Sequence, residues 1–145
     1  MAEAKHRLLL VDDDEDLRVS LAEALEEAGY SVIQAANGET ALALVERELP
    51  DLVLLDLLMP VLNGWQFCQT KNENPLTAPI PVIAMSAAVS KDPKSPYFID
   101  VDDFIAKPVE LDELLTKISG CLARIALDGP NGTPGRRTPV RPRAV

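Results

Sequence analysis

The chain has 145 residues, 47% of them apolar and 26% charged, with a formal net charge of −9. That is enough chain for one domain with a real core, and no apolar run approaches the roughly 18 residues of a membrane-spanning helix. The charge is uneven: residues 128–145 carry four Arg against one Asp, leaving −12 on residues 1–127 (10 Lys and Arg against 22 Asp and Glu). An acidic folded body is a poor nucleic-acid binder and points instead to protein partners, or to a metal gathered by carboxylates.

Met1-Ala-Glu-Ala-Lys-His-Arg7 lacks the apolar stretch of a signal peptide, so the expected location is cytoplasmic. Arg7-Leu-Leu-Leu-Val11 then reads as a strand that stops at Asp12-Asp13-Asp14-Glu15-Asp16. Leu17, Leu21, Ala24, Leu25 and Ala28 fall at helical spacing, with Gly29 placed to end the helix. Ser31–Ala35 is a second strand, and Asn37 can cap a helix carrying Ala41, Leu42, Val45 and Leu49, ended by Pro50. Leu52–Leu55 is a short apolar run leading to Asp56, the pattern of a strand buried on both faces. Gly64 to about Lys71 is a short helix, and the loop after it contains Asn74-Pro75 and Pro79. Pro81–Met85 is a fourth strand ending at Ser86, and a fifth, about Asp103–Ala106, ends at Lys107-Pro108. Leu111, Leu114, Leu115, Ile118 and Leu122 form the apolar stripe of a last helix.

Two stretches depart from this alternation. Pro93 and Pro96 lie in the segment where a fourth helix belongs, so that helix is expected to be short or irregular. Residues 128–145 form a Pro/Gly/Arg-rich tail with little to bury, expected to be disordered beside a folded domain over residues 1–127. Cys68 and Cys121 sit far apart in helical patterns and read as buried free thiols.

Strands alternating with helices imply a parallel sheet covered on both faces, with its ligand site beyond the carboxyl ends of the strands. The first strand delivers Asp12 and Asp13 to that edge, the third Asp56, the fourth Ser86 and the fifth Lys107. A carboxylate is costly inside a buried strand, and packing gives no reason for Asp56, which makes it the candidate reactive group. Three neighbouring carboxylates repel one another unless a cation neutralises them, and hard oxygen ligands suit Mg²⁺, with Mn²⁺ as the other candidate. An Asp beside such a metal can attack a phosphoryl group to give an acyl phosphate, with Lys107 and Ser86 suited to hold the phosphoryl oxygens.

Leu8–Asp14, Leu52–Pro60 with Gly64, Val82–Ala87 and Asp102–Pro108 together resemble the receiver domain of bacterial two-component response regulators, over about residues 6–122. The resemblance implies a flavodoxin-like three-layer α/β/α fold with a five-stranded parallel sheet in the order 2-1-3-4-5. It makes Asp56 the phosphoacceptor. Asp13 becomes a direct metal ligand, Asp12 one acting partly through water, and the Leu58 carbonyl completes the set. Ser86 and Lys107 contact the phosphoryl group, Phe104 is the aromatic of the switch, and Lys107-Pro108 resembles a bond often cis in that family. The implied protein is a stand-alone receiver, not a conventional enzyme, although it promotes its own phosphotransfer and dephosphorylation. Its partners are a sensor histidine kinase or histidine phosphotransfer protein and a downstream protein target, with no nucleic acid and no membrane. Asp100-Val101 stands where the family usually has Gly-Ala, which makes the usual dimerisation face atypical and leaves a monomer or weak dimer as the expectation. Leu58 and Ala88 occupy positions that in that family tune phosphoryl-group lifetime, and being apolar they cannot orient an attacking water, so the resemblance implies a long-lived phosphoryl group.

Other readings fit less of the chain. Asp12-x-Asp14-x-Asp16 with Glu23 resembles a calcium loop, but Leu17 stands where that loop needs Gly. A haloacid-dehalogenase-like phosphatase would use the same Asp-x-Asp but leaves Asp56 unexplained. A phosphorylation-independent interaction module would not need the complete acid set.

Overall fold

A computed structural model describes residues 5–57, 64–86 and 101–128. In chain order the elements are β1 (Arg7–Val11), α1 (Glu15–Glu27), β2 (Ser31–Ala35), α2 (Gly38–Glu48), β3 (Leu52–Asp56), α3 (Gly64–Glu73), β4 (Val82–Met85), β5 (Asp103–Ile105) and α4 (Leu111–Asp128). All five strands run parallel in the order β2-β1-β3-β4-β5. This is the flavodoxin-like arrangement expected from the sequence. The irregular helix expected between β4 and β5, the Leu58 region and the tail beyond Asp128 lie outside the described residues.

Side chains on a strand alternate between faces, and here each alternate set meets its own pair of helices. Leu9, Val11, Val53, Leu55, Val82 and Ala84 pack with Ala41 and Val45 of α2 and Phe67 and Cys68 of α3. Leu8, Leu10, Leu52, Leu54, Ile83 and Met85 pack with Leu21 and Leu25 of α1 and Leu114, Ile118 and Cys121 of α4. Apart from Arg7 at the start of β1 and Asp56 at the end of β3, the central strands are apolar throughout, because neither face meets water. Both cysteines are free and buried.

The helix ends follow local chemistry. Asp14 caps α1, its Oδ1 accepting the Leu17 N–H at 3.1 Å, and Glu15 and Asp16 add negative charge to the first turn. Gly29, at φ 106°, takes the left-handed turn that releases the chain toward β2. Asn37 caps α2 through the Thr40 N–H at 2.8 Å. That helix stops before Pro50 with Leu49 at φ 46°, a left-handed residue in the position that glycine usually fills. The Lys107–Pro108 peptide is cis.

Candidate functional site

The strand ends of β1, β3, β4 and β5 converge on one edge of the sheet. β1 and β3 pair Val11 with Leu55, so Asp12 and Asp56 emerge side by side. β3 and β4 pair Asp56 with Met85, placing Ser86 one residue further along the neighbouring strand. The Ser86 N–H reaches the Ile105 carbonyl at 3.2 Å, which carries the same edge across to β5 and the approach to Lys107.

Asp12, Asp56 and Ser86 are 1%, 4% and 3% exposed, whereas Asp13 faces solvent. One carboxylate oxygen from each of Asp12, Asp13 and Asp56 lies within 4.8 Å of the others. Lys107 Nζ sits 3.4 Å from Asp12 Oδ2 and 3.4 Å from Asp56 Oδ2. One ammonium thus serves two buried carboxylates, while the third acid is left to solvent. Three acids against one Lys leave an excess of two negative charges, which is the charge of a divalent cation. The all-oxygen donor set, open on the Asp13 side, fits Mg²⁺ or Mn²⁺ rather than zinc.

Asp12 is held by more than charge. Its N–H donates to the Ala35 carbonyl at 3.1 Å, and its Oδ1 accepts the Asp14 N–H at 2.9 Å. Gly64 closes the other side: its N–H donates to the Leu57 carbonyl at 3.0 Å. A Cβ there would stand 2.5 Å from Leu57 Cδ2 and 2.7 Å from Leu57 Cα, so the start of α3 approaches the end of β3 as closely as only glycine permits.

The structure brings together Asp12, Asp13, Asp56 and Lys107, with Ser86 buried at the same edge. Leu58, the expected carbonyl ligand, is outside the described residues. Phe104 is half-buried, paired with Ala84 across β4 and β5 and packed against the core on the α2–α3 face. Asp14 is committed to its helix cap, and neither it, Asp16 nor Glu23 joins the acidic cluster among the described residues, which leaves no calcium loop.

Two residues escaped the sequence reading. Arg18 on α1 donates from Nη1 to the Asp12 carbonyl at 2.8 Å and from Nε to Gln34 Oε1 at 3.0 Å. Arg18 is the sole basic residue of an otherwise acidic helix, a pattern that by itself marks only surface charge. Lys71 is fully buried on α3, its ammonium donating to the Ala78 carbonyl at 3.0 Å and to Asn72 Oδ1 at 3.1 Å. It ties α3 to the loop entering β4, at the edge of the sheet remote from Asp56.

Comparison with known proteins places these features in company. Residues 8–119 match the family model described as the response regulator receiver domain. The DNA-binding dual master transcriptional regulator RpaA of Synechocystis is 35% identical over 119 residues, covering 81% of this chain and 49% of that protein. The phosphate regulon transcriptional regulatory protein PhoB of Pseudomonas aeruginosa is 35% identical over 118 residues, covering 81% of this chain and 52% of that protein. The chain spans about half the length of the curated relatives it matches. Among solved structures, the receiver domain of sensor histidine kinase PA1611 from Pseudomonas aeruginosa has a magnesium ion coordinated in its active site cleft. It is 27% identical, superposes with a TM-score of 0.73, and covers 83% of this chain and 99% of its own. The receiver domain of the Francisella response regulator 1452 is likewise 27% identical at a TM-score of 0.72, covering 83% of this chain and 98% of its own.

Proposed function

Because the chain belongs to the response regulator receiver family, a family of phosphoacceptor signalling domains rather than conventional enzymes, we propose that it accepts a phosphoryl group on Asp56 from a histidine kinase or histidine phosphotransfer protein. The observation that carries the reading is the environment of Asp56. It is a buried carboxylate with an ammonium at 3.4 Å and two further acids close enough to share a cation.

In the reaction an Asp56 oxygen attacks phosphorus, the N–P bond of the donor phosphohistidine breaks, and the imidazole leaves with its electron pair and takes up a proton. Lys107 and Ser86 hold phosphoryl oxygens, the first by charge and the second by its hydroxyl. Mg²⁺, held by Asp12, Asp13 and Asp56 with the Leu58 carbonyl, would offset the charge shared between the acids and the incoming phosphoryl group. Hydrolysis of the acyl phosphate returns Asp56. The apolar side chains of Leu58 and Ala88 give an attacking water nothing to orient it, so the phosphoryl group is long-lived.

Ser86 and Phe104 carry the change outward, and the phosphorylated domain works by contacting another protein or by passing the group along a relay. The negative charge of residues 1–127 argues that this segment itself does not touch nucleic acid, although RpaA is named as DNA-binding. The domain is proposed to act in the cytoplasm as a monomer or weak dimer; no helix among the described residues is long and apolar enough to cross a membrane.

Incubation with Mg²⁺ and acetyl phosphate, read by intact mass and hydroxylamine lability, tests the proposal. Wild type should gain one phosphoryl group, slowly lost, and Asp56→Ala none. No gain in wild type would leave an interaction module independent of phosphorylation. Repeated turnover of small phosphate esters would mark a phosphatase instead.

A further inference from the structure

Asp13 differs from the other acids of the site in having nothing of its own to hold it. Its side chain is exposed and has no hydrogen bond among the described residues, yet one of its oxygens stays within 4.8 Å of oxygens on Asp12 and Asp56. Like charges favour the opposite arrangement. A side chain without a tether points where its backbone directs it, so the orientation of the Asp12–Asp13 peptide decides whether Asp13 reaches the cleft.

That peptide lies where β1 leaves the sheet and the ladder can no longer fix it. Asp12 is gripped by its N–H through the Ala35 carbonyl, and by its carboxylate through the Asp14 N–H and Lys107. Neither grip touches the carbonyl it shares with Asp13. The group that does is Arg18, whose Nη1 donates to the Asp12 carbonyl at 2.8 Å. The guanidinium is anchored in turn: its Nε donates to Gln34 Oε1 on β2 at 3.0 Å, and its residue is fixed in α1 by the Arg18 N–H donating to the Asp14 carbonyl at 2.8 Å. A planar fork with two donors at a fixed angle can hold a carbonyl in orientation as well as in distance, which a single ammonium cannot.

We infer that Arg18 is a positioning residue for the site: by fixing the Asp12 carbonyl it sets the rotation of the Asp12–Asp13 peptide and aims the Asp13 carboxylate at the cleft. The inference rests on the acidic triad being the metal and phosphoryl site. Arg18 acts on the triad through the backbone, since it bonds a carbonyl and leaves the carboxylates to Lys107 and the metal.

The test is calorimetric titration of the full chain with Mg²⁺ alone at fixed ionic strength, beside thermal unfolding without metal. Loss of an outer-shell contact of this kind weakens metal binding by about tenfold or more, which is the expectation for Arg18→Met. Arg18→Lys keeps the charge and loses the fork, and should bind about threefold more weakly than wild type. Phosphorylation by acetyl phosphate should then need more Mg²⁺ for half-maximal rate in both variants and reach the wild-type rate at saturation. Should Arg18→Met fail to fold, Arg18→Lys decides alone. Variants that lose thermal stability but bind Mg²⁺ within about twofold of wild type overturn the inference, leaving Arg18 a merely structural residue. A wild type that binds Mg²⁺ but takes no phosphoryl group refutes the phosphoacceptor reading and leaves the Arg18 result standing. A wild type that binds no Mg²⁺ refutes both.

Discussion

Replacing Lys107 by Met should tighten Mg²⁺ binding even as it slows phosphorylation. The ammonium lies 3.4 Å from one oxygen of Asp12 and 3.4 Å from one of Asp56, so it occupies by charge the two buried carboxylates that a divalent cation needs. At an effective dielectric near 20, each contact is worth about 5 kcal/mol before desolvation and screening. The Lys107 side chain is 27% exposed, and burying the partners has its own cost, so a net change of about 1–2 kcal/mol is the reasonable expectation. Since 1.4 kcal/mol is a factor of ten, Lys107→Met should bind Mg²⁺ about 5- to 30-fold more tightly than wild type. Without metal the same variant leaves Asp12 and Asp56 buried and uncompensated, so its thermal midpoint should fall and recover when Mg²⁺ is added. Calorimetry with Mg²⁺ at constant ionic strength measures the first effect, and unfolding scans with and without metal measure the second. Binding no tighter than wild type would show that the ammonium does not compete for the triad, and the electrostatic account of the site would be wrong.

Gly64→Ala should destabilise by about 2 kcal/mol, because the added methyl meets Leu57 Cα at 2.7 Å and the clash outweighs the usual helix gain from alanine. Denaturant unfolding measures this, and Mg²⁺ affinity should fall with it since Leu57 adjoins Asp56; wild-type stability in the variant would show that the close approach has slack. The Cys121 thiol is pushed up first by burial, with Asp102 and Asp103 adding to the rise and Arg124 and Lys117 opposing it. A raised folded value means that its contribution to stability is present below the unfolded thiol range and is lost as pH rises through the folded value. Iodoacetamide should therefore leave Cys121 unmodified in the native protein at mildly alkaline pH and label it on unfolding, and Cys121→Ala should show a shallower alkaline loss of stability. Ready labelling of the native thiol would contradict this.

Much of the site was legible because each acid interrupts an apolar strand. Asp12, Asp56 and Ser86 stand where a buried run ends and Lys107 stands just beyond the half-buried β5, and in a parallel sheet those ends share one edge. Arg18 was not legible, because a basic residue on an acidic helix reads as surface charge until the carbonyl it faces is known. Lys71 was hidden for a related reason: its burial depends on the loop carbonyl of Ala78 folding back over α3, which no periodicity in the sequence records.

Periodicity, caps and strand-end acids, all local properties, determined the five strands, the helices around them and the choice of Asp56 as the candidate phosphoacceptor. Tertiary structure alone decided that a single ammonium spans Asp12 and Asp56, that Asp13 joins them without a hydrogen bond of its own, and that Arg18 grips the carbonyl between them. Those facts depend on distances between segments remote in the chain, which are fixed only when the sheet packs and its carboxyl edge is assembled.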